Sequence, residues 1–303
     1  MQTSKSQLVI DSRIKQYAKL SKIRLTGFVT STTLTGSYLA CQSFTESLPV
    51  IGLAALGTFL CSSSAAALNQ FLETPYDSQM RRTAIRPLVI GQVSPLETVI
   101  FASVMGISGV VLLSSCVNNL TAILGALNLL LYSFIYTPMK RSNVANTWIG
   151  SIVGAIPPMM GSTAVLGYVN FNSVILALIL FSWQFPHFNA LSWNLRHEYA
   201  RAGYRMMSVV NPDLCKRVAL RHSGLLFLYT CLLPVYGSTS SLFTLCALPL
   251  NLQFIKLSWV FYKNADSSSS RKLFRFSLIY LPAILGLLIL TQPRNNLDSL
   301  AAE

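Results

Sequence analysis

Apolar residues along the 303-residue chain gather into windows of roughly 20, separated by short polar connectors. Nine windows stand out, from about Leu25 to Phe44, Leu48 to Leu68, Pro95 to Val117, Leu120 to Tyr136, Trp148 to Leu166, Phe171 to Leu191, Val218 to Tyr236, Leu242 to Phe261 and Leu273 to Leu290. Each is long enough to cross a bilayer once as helix. The pattern predicts an all-α polytopic membrane protein with nine transmembrane helices. It divides the chain into a basic N-terminal segment over 1–24, one transmembrane domain over 25–291 and a short tail over 292–303. The only low-complexity run is Ser267 to Ser270, too short to be a linker between soluble domains.

Composition agrees: 52% of residues are hydrophobic and 11% charged, against about 25% charged in an ordinary soluble domain. Six cysteines, at 41, 61, 116, 215, 231 and 246, show no close pairing and read as small buried apolar side chains rather than metal ligands. The formal charge of +13 raises nucleic acid as a partner. No long basic run lies beside base-stacking aromatics, which argues against it.

The charge instead sorts by side. With connectors on alternate faces, 21 of the 23 Lys and Arg residues fall on one of them, leaving Lys256 inside a span and Arg294 in the tail. The positive-inside rule turns that face toward the cytoplasm or a mitochondrial matrix. The basic, acid-poor start reads as an anchor on that face rather than a presequence. Topology alone accounts for the bases but not for three acids among them. Glu73, Asp77 and Glu198 follow the second and sixth windows, four spans apart, and a four-helix internal repeat would make these loops counterparts over one cavity.

Three segments carry candidate chemistry. In the first, Asn69, Glu73 and Asp77 share one helix face if the second span continues past the bilayer edge, although Pro75 is expected to kink or end it. Two carboxylates and an amide oxygen are hard ligands that suit magnesium bridging to phosphates, and Arg81, Arg82 and Arg86 offer donors for diphosphate oxygens. The same residues could equally form solvated pairs on a helix end. The second segment runs Trp183-Gln184-Phe185-Pro186-His187-Phe188-Asn189, where polar groups within a span need partners. His187 is there either a hydrogen-bonded core residue or a functional group. The third is Tyr136-Thr137-Pro138-Met139-Lys140-Arg141, whose two bases either contact phosphate or fix topology. Beyond it, Gly150 and Gly154 suit close helix packing, and Pro157 with Pro158 is expected to break the fifth span and open space for a ligand.

Taken together, Asn69, Glu73, Asp77, Arg82-Thr83, Arg86-Pro87, the Tyr136 to Arg141 run, the Trp183 to Phe188 run and Glu198-Tyr199-Ala200-Arg201-Ala202-Gly203 resemble the protohaem IX farnesyltransferases, or haem O synthases, of the UbiA-type intramembrane prenyltransferases. The resemblance covers Lys22 to about Leu290, and Ser192 to Val209 is closest to the eukaryotic mitochondrial branch.

The resemblance implies a nine-helix bundle with both acid-containing loops on one face, transferring farnesyl from farnesyl diphosphate to protohaem to give haem O for cytochrome c oxidase. Asn69, Glu73 and Asp77 would hold magnesium and diphosphate, with Glu198 completing the metal ligands. Arg82, Arg86, Lys140 and Arg141 would neutralise diphosphate, and His187 would either bind haem iron or move a proton. Where the wider superfamily has a second-loop acid, this chain has Ala202. Implied surroundings are the lipid bilayer of the mitochondrial inner membrane, with basic loops toward the matrix, and a partner enzyme of haem A synthesis; a bacterial plasma membrane is the alternative. Two other functions remain in view: a UbiA-type enzyme acting on an aromatic or quinone precursor, and a non-catalytic haem carrier or transporter. A transporter would more often pair its charges at the bilayer midplane, whereas these acids sit at one edge.

Overall fold

The computed structural model describes residues 13–236 and 239–292; positions 1–12 of the basic segment and 293–303 of the tail lie outside the described residues. Helices are its sole regular element among those residues. After a helical stretch over 13–20 come α1 (Ile23–Ala40), α2 (Phe44–Asp77), α3 (Pro95–Cys116), α4 (Asn119–Ser142), α5 (Asn146–Leu166) and α6 (Phe171–Asn194). The short α7 (Arg196–Arg201) and α8 (Met207–Val210) precede α9 (Pro212–Val235), α10 (Ser241–Asn264) and α11 (Ser267–Leu290).

Every apolar window lands on one of the nine long helices among the described residues. Eight of them are long and apolar enough to cross a membrane; α1, with Thr26, Thr32, Thr33, Thr35 and Ser37 buried, falls short on apolarity. Starts follow local chemistry: Ser94 and Glu97 form a capping box ahead of Pro95, and Asn118, Asn170, Asn211 and Asp266 each accept a backbone N–H of the helix they open. Outward positions such as Ile107, Leu245 and Ile279 are at least 62% exposed apolar surface, as a lipid-facing wall requires.

The first half packs small, with Cys61, Leu113, Ala122, Ile156 and Met160 between α2, α3, α4 and α5. The second packs large, with Phe185, Trp193, Phe243, Phe254, Phe261 and Tyr280 filling the space between α6, α9, α10 and α11. Helix α1 lies against α2 and α5, and contacts with α6 and α11 close the bundle.

Two sequence expectations change. Pro75 does not end the second span: α2 runs on to Asp77, so its polar face is continuous. Nor do Pro157 and Pro158 break α5, which is helical from Asn146 to Leu166. Donors from α1 help hold it there, since the Thr33 hydroxyl donates to the Pro157 carbonyl at 3.1 Å and the Ser37 hydroxyl to that of Gly161 at 3.0 Å. The space expected there is filled by α1, because a Cβ on Gly161 would run into the Thr33 carbonyl and one on Gly36 into that of Pro158.

Candidate active site

Helix α2 carries Asn69, Glu73 and Asp77 one turn apart on a single face, and all three side chains are buried. Burying two carboxylates is costly unless cations meet them. Those cations come from three other stretches of chain. Lys140, at the end of α4, donates to Glu73 Oε1 at 2.7 Å. Arg86, on the loop after α2, reaches Glu73 Oε2 at 3.5 Å and pairs closely with Asp77. Lys22, just before α1, donates to Asn69 Oδ1 at 2.5 Å. Arg86 and Lys140 thus pair the two carboxylates, and Lys22 on the Asn69 side adds a third base whose charged form an anionic ligand would favour.

Burial beside the Arg86 guanidinium pushes the Lys22 ammonium down to about 7. Its placement depends on the turn before α1, where Lys22 takes a left-handed backbone, and on Gln70, whose amide donates to the Lys19 and Leu20 carbonyls at 3.2 and 2.7 Å. Sequence reasoning counted Lys22 only as an N-terminal charge. Neither the turn nor the long-range anchoring has a local signature.

The loops after α2 and α6 meet over this face. Arg81 N–H donates to Glu198 Oε2 at 3.1 Å, and Met80 packs with Ala202, Tyr204 and Met206. Arg205 N–H donates to the Lys140 carbonyl at 2.7 Å, tying the second loop to the end of α4. Burial raises the Tyr199 and Tyr204 phenols, so both stay neutral donors beside the acids. Ala202 is buried in an apolar cluster with Met80, Tyr204 and Met206.

The remaining predicted residues divide. Arg141 is exposed, stacks over Tyr76 at 4.0 Å and hydrogen-bonds its hydroxyl. Arg82 is exposed on the first loop. Among the described residues no three His, Cys, Asp or Glu side chains gather as one metal-holding group, so Glu198 is brought to the loop junction rather than into contact with both Glu73 and Asp77. His187 lies among other partners: it stacks on Trp183 at 4.6 Å, meets Phe274 at 5.0 Å and shares a 2.8 Å hydrogen bond with the Ser277 hydroxyl. Gln184 and Asn189 likewise bridge helices, donating to the carbonyls of Ser151 on α5 and Cys215 on α9. These polar groups serve as interhelical links.

Buried Glu73 and Asp77, with the Asn69 oxygen on the same face, form a hard-oxygen donor set that fits magnesium. Electrostatically the site can hold a multiply charged phosphate ester.

The chain matches the UbiA prenyltransferase family over residues 29–279. "Protoheme IX farnesyltransferase, mitochondrial" of Homo sapiens is 50% identical over 277 residues, covering 91% of this chain and 62% of that protein. The Arabidopsis thaliana protein of the same description is 38% identical over 290 residues, covering 95% and 67%. The chain therefore spans about three-fifths of the length of the human relative. Among solved structures, a digeranylgeranylglyceryl phosphate synthase aligns with a TM-score of 0.79 at 16% identity, covering 92% of this chain and 98% of its own. A UbiA homolog from Archaeoglobus fulgidus bound to GPP and Mg2+ aligns at 0.63 and 11% identity, covering 90% and 99%. At these identities the likeness speaks to the fold.

Proposed function

The chain belongs to the UbiA prenyltransferase family, and on that premise we propose that it transfers the farnesyl group of farnesyl diphosphate to a vinyl group of protohaem, giving haem O. The observation that carries the reading is the convergence of Lys22, Arg86 and Lys140 on the buried Asn69, Glu73 and Asp77. Half-identity to a protein described as a protoheme IX farnesyltransferase supports the choice of acceptor.

Lys22, Arg86 and Lys140, with Arg82 and Arg141 at the rim, bind the diphosphate oxygens and neutralise the charge that builds as the allylic C–O bond ionises. Asn69, Glu73 and Asp77 would hold magnesium, with Glu198 closing the site from the second loop; bound there, the metal supplies further charge neutralisation for the leaving diphosphate. The vinyl carbon of protohaem attacks the farnesyl cation, and water adds to the resulting porphyrin-side cation with loss of a proton. Apolar helix walls keep water from the allyl cation until the new C–C bond has formed. His187, with Nδ1 engaged by Ser277, keeps Nε2 for contact with the acceptor.

We place the protein in the mitochondrial inner membrane with its basic face toward the matrix, handing haem O to an enzyme of haem A synthesis. Pigment analysis of membranes from cells expressing the chain tests the reading, with haem O as the expected product. With purified protein, haem and labelled farnesyl diphosphate should give labelled porphyrin. Labelling of an added aromatic acid while porphyrin stays unlabelled would move the assignment to a quinone-type enzyme, and absence of diphosphate release would leave only a carrier.

A further inference from the structure

Thr137 is where three features of the site meet. Pro138 has no N–H, so the Phe134 carbonyl lacks its ordinary helical partner, and α4 widens into a π turn over Leu131–Tyr136. Both donors of Thr137 then go to one acceptor: its backbone N–H and its hydroxyl, the latter at 2.8 Å, point to the Tyr132 carbonyl. A carbonyl only accepts, and a hydroxyl has one proton. Having given that proton to Tyr132, Thr137 Oγ1 can only accept from a third group. The third group is Asn69, whose Nδ2 lies 3.1 Å away. With its nitrogen committed to Thr137, the amide turns its oxygen the other way, where Lys22 Nζ meets it at 2.5 Å. Thr137 and Asn69 are both buried, so water does not compete for these bonds.

We infer that Thr137 is a positioning residue for the diphosphate site: its hydroxyl, spent on the π turn, holds Asn69 with oxygen rather than nitrogen facing the bound cation and Lys22. The same turn carries Lys140, three residues on, to Glu73. Without the hydroxyl only the Lys22 bond still orients the amide, the flipped amide is populated more, and its two N–H donors facing a divalent cation oppose binding. The inference rests on the reading of Asn69, Glu73 and Asp77 as the magnesium and diphosphate site.

The test uses the full chain purified in lipid nanodiscs, with inorganic pyrophosphate and magnesium as probes and calorimetry as readout. Thr137→Val is nearly isosteric but has no hydroxyl, and is expected to raise the magnesium concentration for half-saturation about tenfold. Thr137→Ser keeps the hydroxyl and should stay within about twofold of the parent. In an Asn69→Asp background, where both side-chain ends are oxygen, Thr137→Val should cost nothing further. Should Thr137→Val fail to fold, Thr137→Ala is the second hydroxyl-free variant and is read the same way. Parent-like binding by the hydroxyl-free variant would overturn the inference, as would equal losses for Val and Ser, which would make the side-chain packing and not the proton decisive. A parent protein that binds no magnesium pyrophosphate would fail at an earlier step, the site assignment itself, and is told apart by its own flat titration.

Discussion

Glu198 and Arg81 lie 117 positions apart, yet the Glu198 carboxylate accepts the Arg81 backbone N–H at 3.1 Å, and that bond joins the loop that follows Glu73 and Asp77 to the loop that follows α6. Around it Met80, Tyr204 and Met206 form an apolar clasp. Because the bond uses a backbone donor, no substitution at Arg81 other than proline removes it directly, whereas a change at Glu198 does. Glu198→Ala is expected to loosen the loop, seen as faster amide exchange over residues 78–93, and to lower turnover at least about tenfold. Glu198→Gln keeps an accepting oxygen and should preserve the protection while lowering turnover. Unchanged exchange in the alanine variant would rule out the clasp.

Asp77→Asn removes the charge that meets Arg86 but keeps the shape. With one carboxylate fewer for magnesium and Arg86 freed of its partner, farnesyl transfer should fall by about 100-fold or more, in the range for lost transition-state electrostatics. Haem titration followed by its Soret band should be nearly unaffected. Parent-like turnover would refute a metal role for Asp77.

Much of this was legible in the chain itself. Hydropathy windows located the nine long helices among the described residues, because lipid imposes a length and polarity that any sequence must display. The four-residue spacing of Asn69, Glu73 and Asp77 gave their common face, and α2 keeps it through Pro75. Three features were not legible, each for a long-range reason. Lys22 reaches the site only because Gln70 holds the preceding turn. The Pro157-Pro158 pair suggested a break, but α1 supplies hydroxyls to that stretch of α5 from more than a hundred residues away. Gln184, His187 and Asn189 stand out in the sequence by being polar in a span, but the sequence does not show that Ser151, Ser277 and Cys215 are their partners on neighbouring helices.

Lys22→Met separates binding from folding. Its ammonium is buried beside Arg86, so removing the charge relieves a desolvation cost and should leave the melting temperature in nanodiscs unchanged or higher. The diphosphate loses one charge-assisted donor, and its KM should rise about tenfold with a smaller change in kcat. A fall in melting temperature with parent-like KM would assign Lys22 to structure.

Gly161→Val tests whether the α1–α5 contact holds up the whole site. A Cβ at this position has no room, since it faces the backbone of Thr33 and Ser37 rather than a flexible side chain. The helices would have to part, and the Thr33 and Ser37 hydroxyls would withdraw from the carbonyls of Pro157 and Gly161. Overpacking of this kind typically costs about 1–3 kcal/mol, and the lost hydrogen bonds add to it. Moving α1 also displaces Lys22, which directly precedes it, so the variant should lose diphosphate affinity together with stability. Gly52→Val is the control, because a Cβ there meets nothing within 4 Å and both quantities should stay at parent level. A drop in melting temperature for Gly161→Val with parent-like affinity would show that the site keeps its geometry independently of this helix pair.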